Sequence, residues 1–322
     1  MRKIRVVVIG AGAFGRNHIR VASRAERVEL AGVVDADDAR AEAAAAEFGC
    51  PVLSLADVPA RADAAIIAVP TSAHASTGCA LLEAGVDVLV EKPIAPDLAS
   101  ARRLIDIAAT HGRVLQVGHL ERFNPAVIAL RPAVTLPLFF EVHRLSVFSS
   151  RSLDVDVVLD LMIHDLDIVL ALTGAWPEEI RAAGISILSR KVDIATARLA
   201  FPNGCVANLT ASRVSTEKVR KLRVFQPRQY ISLDYARQDA AVFEVGGASA
   251  TVPQIGFRTL PVQKDEPLRL ELESFLDAVE RRAAPAVTGE DGARALEAAL
   301  AVLDKIEEHS RLVDQSLAVW KP

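Results

Sequence analysis

Cysteine is scarce in this 322-residue chain: Cys50, Cys79 and Cys205 stand far apart, and none belongs to a CxxC pair. A disulfide framework and a cysteine zinc site are thereby excluded, and each thiol is expected to be a small buried hydrophobe. Aromatic residues are only 5% of the chain, so alanine and valine must supply most of the core. No apolar run approaches the ~18 residues of a membrane span, and the apolar part of "MRKIRVVVIG" is too short for a signal peptide. A cytoplasmic protein with no membrane partner is expected. The net charge of -4 and the scattered basic residues offer no field suited to a nucleic-acid backbone. Internal repeats and low-complexity linkers are also missing.

What remains is a soluble globular composition, 51% hydrophobic and 24% charged, at a length that suits two domains. "IRVVVIG" is a β-branched run of the kind buried on both faces of a parallel sheet. "GAGAFG" follows at once, with Gly10, Gly12 and Gly15 in the GxGxxG spacing and a helix-forming segment behind them. The glycines permit a tight turn, the approach of a pyrophosphate and close helix–strand packing, while the helix N-terminus offers amides to phosphates. Ala13 and Phe14 fall inside this cofactor-contacting loop. The next strand, "VELAGVVDAD", ends in Asp35, about 20 residues beyond Gly15, where a carboxylate accepts from ribose hydroxyls and repels a 2′-phosphate. NAD is therefore expected in preference to NADP.

Alternation continues through a helix at "ARAEAAAAEFG", a short strand around "PVL", and further strands at "ADAAIIAVP", "VDVLVEKP" and "RVLQVGH" with helices between them. This is the pattern of a doubly wound parallel sheet, whose ligands lie beyond the carboxyl ends of the strands. Three strand ends matter on that ground: "VPTSAH" with Pro70, Thr71 and His74; "EKP" with Glu91 and Lys92; and "GHLERFNP" with His119, Arg122 and Asn124. Glu91 is placed to orient or charge-pair with Lys92. A solvated lysine is the plainer reading of Lys92, and domain-junction structure that of Arg122 and Asn124.

After Asn124 the rhythm changes to one strand, one helix and then strands in succession, joined at one point by an "FPNG" turn, with two helices closing the chain. Successive strands imply an antiparallel sheet and an α+β second domain over 121–322, behind a first domain of 1–120. "DLMIHDLD" interrupts the apolar helix of 157–172 with a stripe of Asp160, His164 and Asp167 at helical spacing. Asp160 and His164, at i and i+4, suit a carboxylate that orients a general-base imidazole. Taken alone, a helix cap and a satisfied core histidine fit the same residues. A metal-dependent dehydrogenase would need a Cys, His and carboxylate cluster, and no such spacing exists among the remaining histidines, His18, His111, His143 and His309 included, so no metal is expected.

Together, "GAGAFG", "AVPTSAH", "EKPIA" and "DLMIHDLD", in this order, resemble the Gfo/Idh/MocA family of sugar oxidoreductases over nearly the whole chain. The resemblance implies an N-terminal Rossmann domain, a C-terminal domain with a large, open, mostly antiparallel sheet used in homo-oligomers, and an active site between them. It also implies that Lys92 lies near nicotinamide and substrate, that His164 accepts the hydroxyl proton and that Asp160 orients it. His74, Glu91 and Lys92 would approach the cofactor, and His119, Arg122 and Asn124 the substrate. Met162 departs from the glycine common two positions before the family's histidine. "VGHLERFNPAV" resembles a narrower group, the UDP-N-acetylglucosamine 3-dehydrogenases, which make a ketone for a partner aminotransferase in lipid A biosynthesis. A free-sugar or inositol dehydrogenase is the alternative. A non-catalytic NAD-sensing module would have lost Lys92, Asp160 and His164, and all three are present.

Overall fold

The β-branched opening run forms β1 (Ile4–Ile9), with five of its six side chains buried. The computed structural model describes residues 2–148, 155–246 and 254–319. The chain divides into two units, Met1–Phe123 with Asp265–Leu296, and Asn124–Lys264 with Glu297–Pro322. In the first unit, β1 is followed by α1 (Ala13–Arg24), β2 (Val28–Val34), α2 (Asp38–Phe48), α3 (Val58–Arg61), β3 (Ala64–Ile67), α4 (His74–Glu83), β4 (Asp87–Glu91), α5 (Leu98–Thr110) and β5 (Leu115–Gly118). The five strands run parallel in the order β2-β1-β3-β4-β5, the expected doubly wound sheet. Local chemistry sets the helix ends. Asp37 and Asp97 accept from the amides of Arg40 and Ser100, and Gly49 closes α2 in the left-handed region. The strand expected at "PVL" shrinks to a single bridge between Val33 and Val52, because the segment meets β2 at only one residue.

The second unit holds α6 (Pro125–Leu130), β6 (Phe139–Val147), a π-helical turn (Val158–Met162) leading into α7 (Ile163–Thr173), β7 (Glu179–Ile185), β8 (Ile194–Ala200), β9 (Val206–Ser215), β10 (Val219–Gln226), β11 (Gln229–Asp234), β12 (Asp239–Gly246) and β13 (Gln254–Thr259). Eight strands form one sheet, β13-β12-β11-β10-β6-β9-β8-β7. All its pairs are antiparallel except β6 with β9. The expected "FPNG" turn joins β8 to β9, with Phe201 N–H donating to the Cys205 carbonyl. Strand β13 was not foreseen, since its exposed "QIGFRT" lacks a clean apolar alternation.

The expected 1–120 and 121–322 division differs from the observed one in a way that matters below. Helix α8 (Pro267–Arg281) and the first turns of α9 (Gly289–Val319) belong with the parallel sheet. Leu268, Leu272, Phe275, Leu276 and Val279 on α8 share a core cluster with Ile19 and Val21 of α1 and with Ile4 and Val28. Amphipathic periodicity announces the helix but does not say which core receives its apolar face. Among the described residues, no helix is long and apolar enough to cross a membrane.

Between β7 and β8, the buried Asp193 organises the connection. Its Oδ2 accepts from the amides of Ile187, Leu188 and Ser189 at 2.7, 2.6 and 3.0 Å, and its Oδ1 from the Ser189 hydroxyl at 2.8 Å. Burial alone would raise its pKa, but these donors hold the carboxyl down to about 2. A depressed folded-state value stabilises fully above the unfolded carboxyl range, and the contribution is lost as pH falls towards 2. Replacing Asp193 by Asn is expected to cost about 2 kcal/mol at pH 7 and progressively less below pH 4. Denaturant unfolding of both proteins across that range checks it, and a loss independent of pH would contradict the assignment.

Candidate active site

Gly10, with φ of +97°, turns the chain out of β1, and a Cβ there would lie 2.4 Å from the Ala68 carbonyl oxygen. At Gly15 a Cβ would come within 1.8 Å of the Gly10 carbonyl oxygen, so α1 packs against the turn as only glycine allows. Gly12 is different: its Cβ direction meets nothing within 4 Å. It is also the N-cap of α1, and no side chain caps the helix there. Open space before uncapped helix amides fits the pyrophosphate of a dinucleotide. Ala13 and Phe14 follow on the exposed side of the loop. Asp35 ties the loop to the end of β2, its Oδ2 accepting from Ala11 N–H at 2.6 Å and its Oδ1 from Asp37 N–H at 2.9 Å. A carboxylate has lone pairs beyond these two, so acceptor capacity remains for ribose hydroxyls.

At the end of β3, Pro70 is exposed and Thr71 half-buried. His74 is buried instead. Its Nδ1 stands 2.8 Å from the Pro93 carbonyl oxygen and its Nε2 3.0 Å from that of Val69. Burial lowers its pKa against the pull of those carbonyls, and the ring braces the loops that follow β3 and β4. Glu91 also turns inward: His18 Nε2–H donates to its Oε1 at 2.7 Å, and the Lys92 backbone N–H to its Oε2 at 3.3 Å. It orients Lys92 through the backbone and does not present its carboxylate at the surface. Lys92 is half-buried and precedes a cis peptide to Pro93.

Beyond β5, His119 and Arg122 are both buried, and Arg122 Nη2 lies 3.6 Å from Asp291 Oδ1. Burial opposes ionisation of Asp291, but Thr288, Arg122 and His119 together hold its pKa below the usual value. Asn124 is the N-cap of α6: its Oδ1 accepts from Ala126 N–H and its Nδ2 donates to the Tyr235 carbonyl, each at 3.1 Å. Both ends of the amide thus make hydrogen bonds within the fold.

In the second unit, Asp160 lies in the π-helical turn, and Ile163 N–H reaches back to the Val158 carbonyl. Single π turns inside helices are frequent at functional sites. Asp160 and His164 are half-buried, whereas Asp165 and Asp167 are each 2% exposed. The expected polar stripe therefore divides: its first two residues are half-buried, and Asp167 goes into the interior. Asp165 takes both Arg144 Nε and Nη2, at 2.7 and 2.8 Å, and the guanidinium lies 5.0 Å from the Tyr235 ring centroid. Sequence reading missed this pair. Arg144 follows Phe140 and Val142 at inward positions of β6, and that alternation was the available signal.

The NAD-binding Rossmann-fold domain of this oxidoreductase family is matched over residues 4–119, and the family's C-terminal domain over 138–231. The chain belongs to the Gfo/Idh/MocA oxidoreductase family. As a member it is an NAD-dependent oxidoreductase, and the glycine loop just described lies within the matched NAD-binding Rossmann domain. It is 39% identical over 310 residues to the UDP-N-acetylglucosamine 3-dehydrogenase of Acidithiobacillus ferrooxidans, covering 95% of this chain and 98% of that protein. A solved structure of the Acidithiobacillus enzyme superposes with a TM-score of 0.90 at 38% identity, over 96% of this chain and 99% of that one. An inositol 2-dehydrogenase of Rhizobium meliloti is 27% identical over 96% of this chain and 98% of its own.

The glycines separate two effects. Gly12→Val is expected to leave the apoprotein within ~0.5 kcal/mol of its stability, as at an open surface position, and to weaken NAD binding at least tenfold, or about 1.4 kcal/mol. Gly15→Ala is expected to unfold the first unit. Thermal denaturation and calorimetric NAD titration of both variants check this; equal NAD affinity in Gly12→Val would place the pyrophosphate elsewhere.

Proposed function

We propose that this enzyme oxidises the 3-hydroxyl of UDP-N-acetylglucosamine to a ketone that a partner aminotransferase consumes in lipid A-type amino-sugar synthesis. The observation that carries the reading is the identity of 39% along 95% of the chain to an enzyme of that activity, against 27% to an inositol 2-dehydrogenase.

NAD, when bound, supplies the hydride acceptor. His164 takes the proton from the substrate hydroxyl as its C–H bond breaks, and Asp160 keeps the imidazole oriented for that transfer. Lys92 donates a hydrogen bond to the same oxygen and stabilises the charge that develops on it. Asp35 holds the ribose. The inositol relatives favour oxidation of a free polyol as the second reading, with the same residues in the same roles.

A homo-oligomer in the cytoplasm is proposed as well. Phe139, Phe225, Tyr230, Phe243 and Phe257 pair directly across five neighbouring strands on one face, and Phe225 and Phe257 are 36% and 63% exposed. A row of that extent favours burial against a second copy.

Incubation of the protein with UDP-N-acetylglucosamine, NAD, an amine donor and an aminotransferase that accepts the authentic ketone is expected to yield a UDP-diamino sugar by mass spectrometry. Its absence, with NAD reduction by myo-inositol, would move the assignment to a polyol. Lys92→Ala and His164→Ala are expected to lower kcat by at least ~100-fold, the usual scale of acid–base catalysis, while retaining NAD affinity. Near-normal turnover in His164→Ala would remove it as the base.

A further inference from the structure

Beneath Lys92 lies a buried group of titratable side chains that the proposed reaction does not use. His18 comes from α1, Glu91 from β4 and Glu271 from α8, which returns to the first unit late in the chain. Their exposures are 2%, 7% and 0%. Imidazole nitrogen and carboxylate oxygens converge within 4.8 Å of one another. Gly118 on β5 leaves the space that Glu91 occupies, since a Cβ there would meet its Oε1 at 2.9 Å.

The hydrogen bonds of this group are unbalanced. His18 and the Lys92 amide donate to Glu91. Gln116 Nε2 donates to the Glu271 backbone carbonyl at 3.2 Å. Both carboxyl oxygens of Glu271, and Oε1 of Gln116, are buried without a hydrogen-bond partner. Every unmatched atom in this set is an acceptor, so the missing element is a donor. Two ionised carboxylates this close and this dry would also repel without screening.

We propose that Glu271 keeps its proton at neutral pH and donates it to Glu91, so that His18, Glu91 and Glu271 act as one proton-sharing cluster that positions Lys92. The positioning role rests on Lys92 serving the reaction as described above. A turn of the Glu271 side chain brings its O–H onto Glu91, engaging one of the two unmatched Glu271 oxygens and removing one of the two negative charges. Desolvation, followed by the charge of Glu91, raises the Glu271 pKa well above the carboxylate range. Of the remaining neighbours, His74 also feels Glu91, but its ring is held by the Val69 and Pro93 carbonyls. A divalent cation could satisfy the same oxygens. The His18–Glu91 contact of 2.7 Å argues against one, being the length of a direct hydrogen bond and shorter than the ~3.4 Å between two ligands held tetrahedrally at about 2.1 Å from zinc.

Infrared difference spectroscopy of the NAD-free full-length protein at pH 8 tests the protonation. A carboxylic-acid C=O band is expected, absent from Glu271→Gln and retained in variants of exposed carboxylates. No band, a band lost in Glu91→Gln but kept in Glu271→Gln, or stoichiometric metal found by elemental analysis would each overturn the proposal. Steady-state kinetics test the positioning role. Glu271→Leu, which cannot donate, is expected to lower kcat about tenfold with unchanged NAD affinity, and Glu271→Gln, whose amide can donate, to recover most of that loss. Equal losses in the two variants, or none in either, would overturn positioning. Because the band is measured without substrate, a failure of the Lys92 assignment, read from Lys92→Ala, is distinguishable from a failure of the cluster.

Discussion

The contact between Gly15 and the Gly10 carbonyl, where a Cβ would fall at 1.8 Å, sets the place of α1, and several later features depend on it. With the helix drawn against the turn, its uncapped first amides face the open space at Gly12. One turn further, His18 reaches Glu91, and Glu91 accepts from the backbone of Lys92. The approach that opens the space at Gly12 therefore also brings a support under the lysine two strands away. Asp35 completes the arrangement from the other side by taking the Ala11 amide, so the loop is held at both ends before any ligand arrives.

Much of the first unit was legible in the sequence because its signals are local. β-branched runs, the glycine spacing and an acidic residue at a strand end each report a backbone requirement within a few residues of themselves. The features missed depend on distant partners. Glu271 reads as an ordinary charge on an amphipathic helix until α8 is seen to join the parallel sheet. Asp165 reads as part of a polar interruption until Arg144 is found against it. The π turn was also hidden, since hydrophobic periodicity does not distinguish four-residue from five-residue hydrogen bonding over a single turn.

Both units use buried charge to fix geometry. Arg144 and Asp165, each 2% exposed, join β6 to α7 in a two-bond pair directly beside His164. Such pairs add little net stability, because desolvation offsets the attraction, but their directionality resists sliding of one element on another. An apolar pair at these positions would keep the core filled and relax the register. The residue adjoining His164 thus holds the helix, and the half-buried imidazole lies one residue away.

The parallel pairing of β6 with β9 has a further consequence. Parallel neighbours cannot be joined by a hairpin, so the chain between them must pass over a face of the sheet. The π turn and α7 lie in the segment between β6 and β7, before β7 and β8 return as strands of the same sheet. The helix bearing Asp160 and His164 is therefore part of the connection that makes the sheet possible, not an appendage to it. Strands β10 to β13 extend the sheet as a meander on the other side of β6. Change in length or contour can accumulate along that edge during divergence without rerouting the segment that carries the histidine, which gives the architecture one region topologically committed and another open to variation.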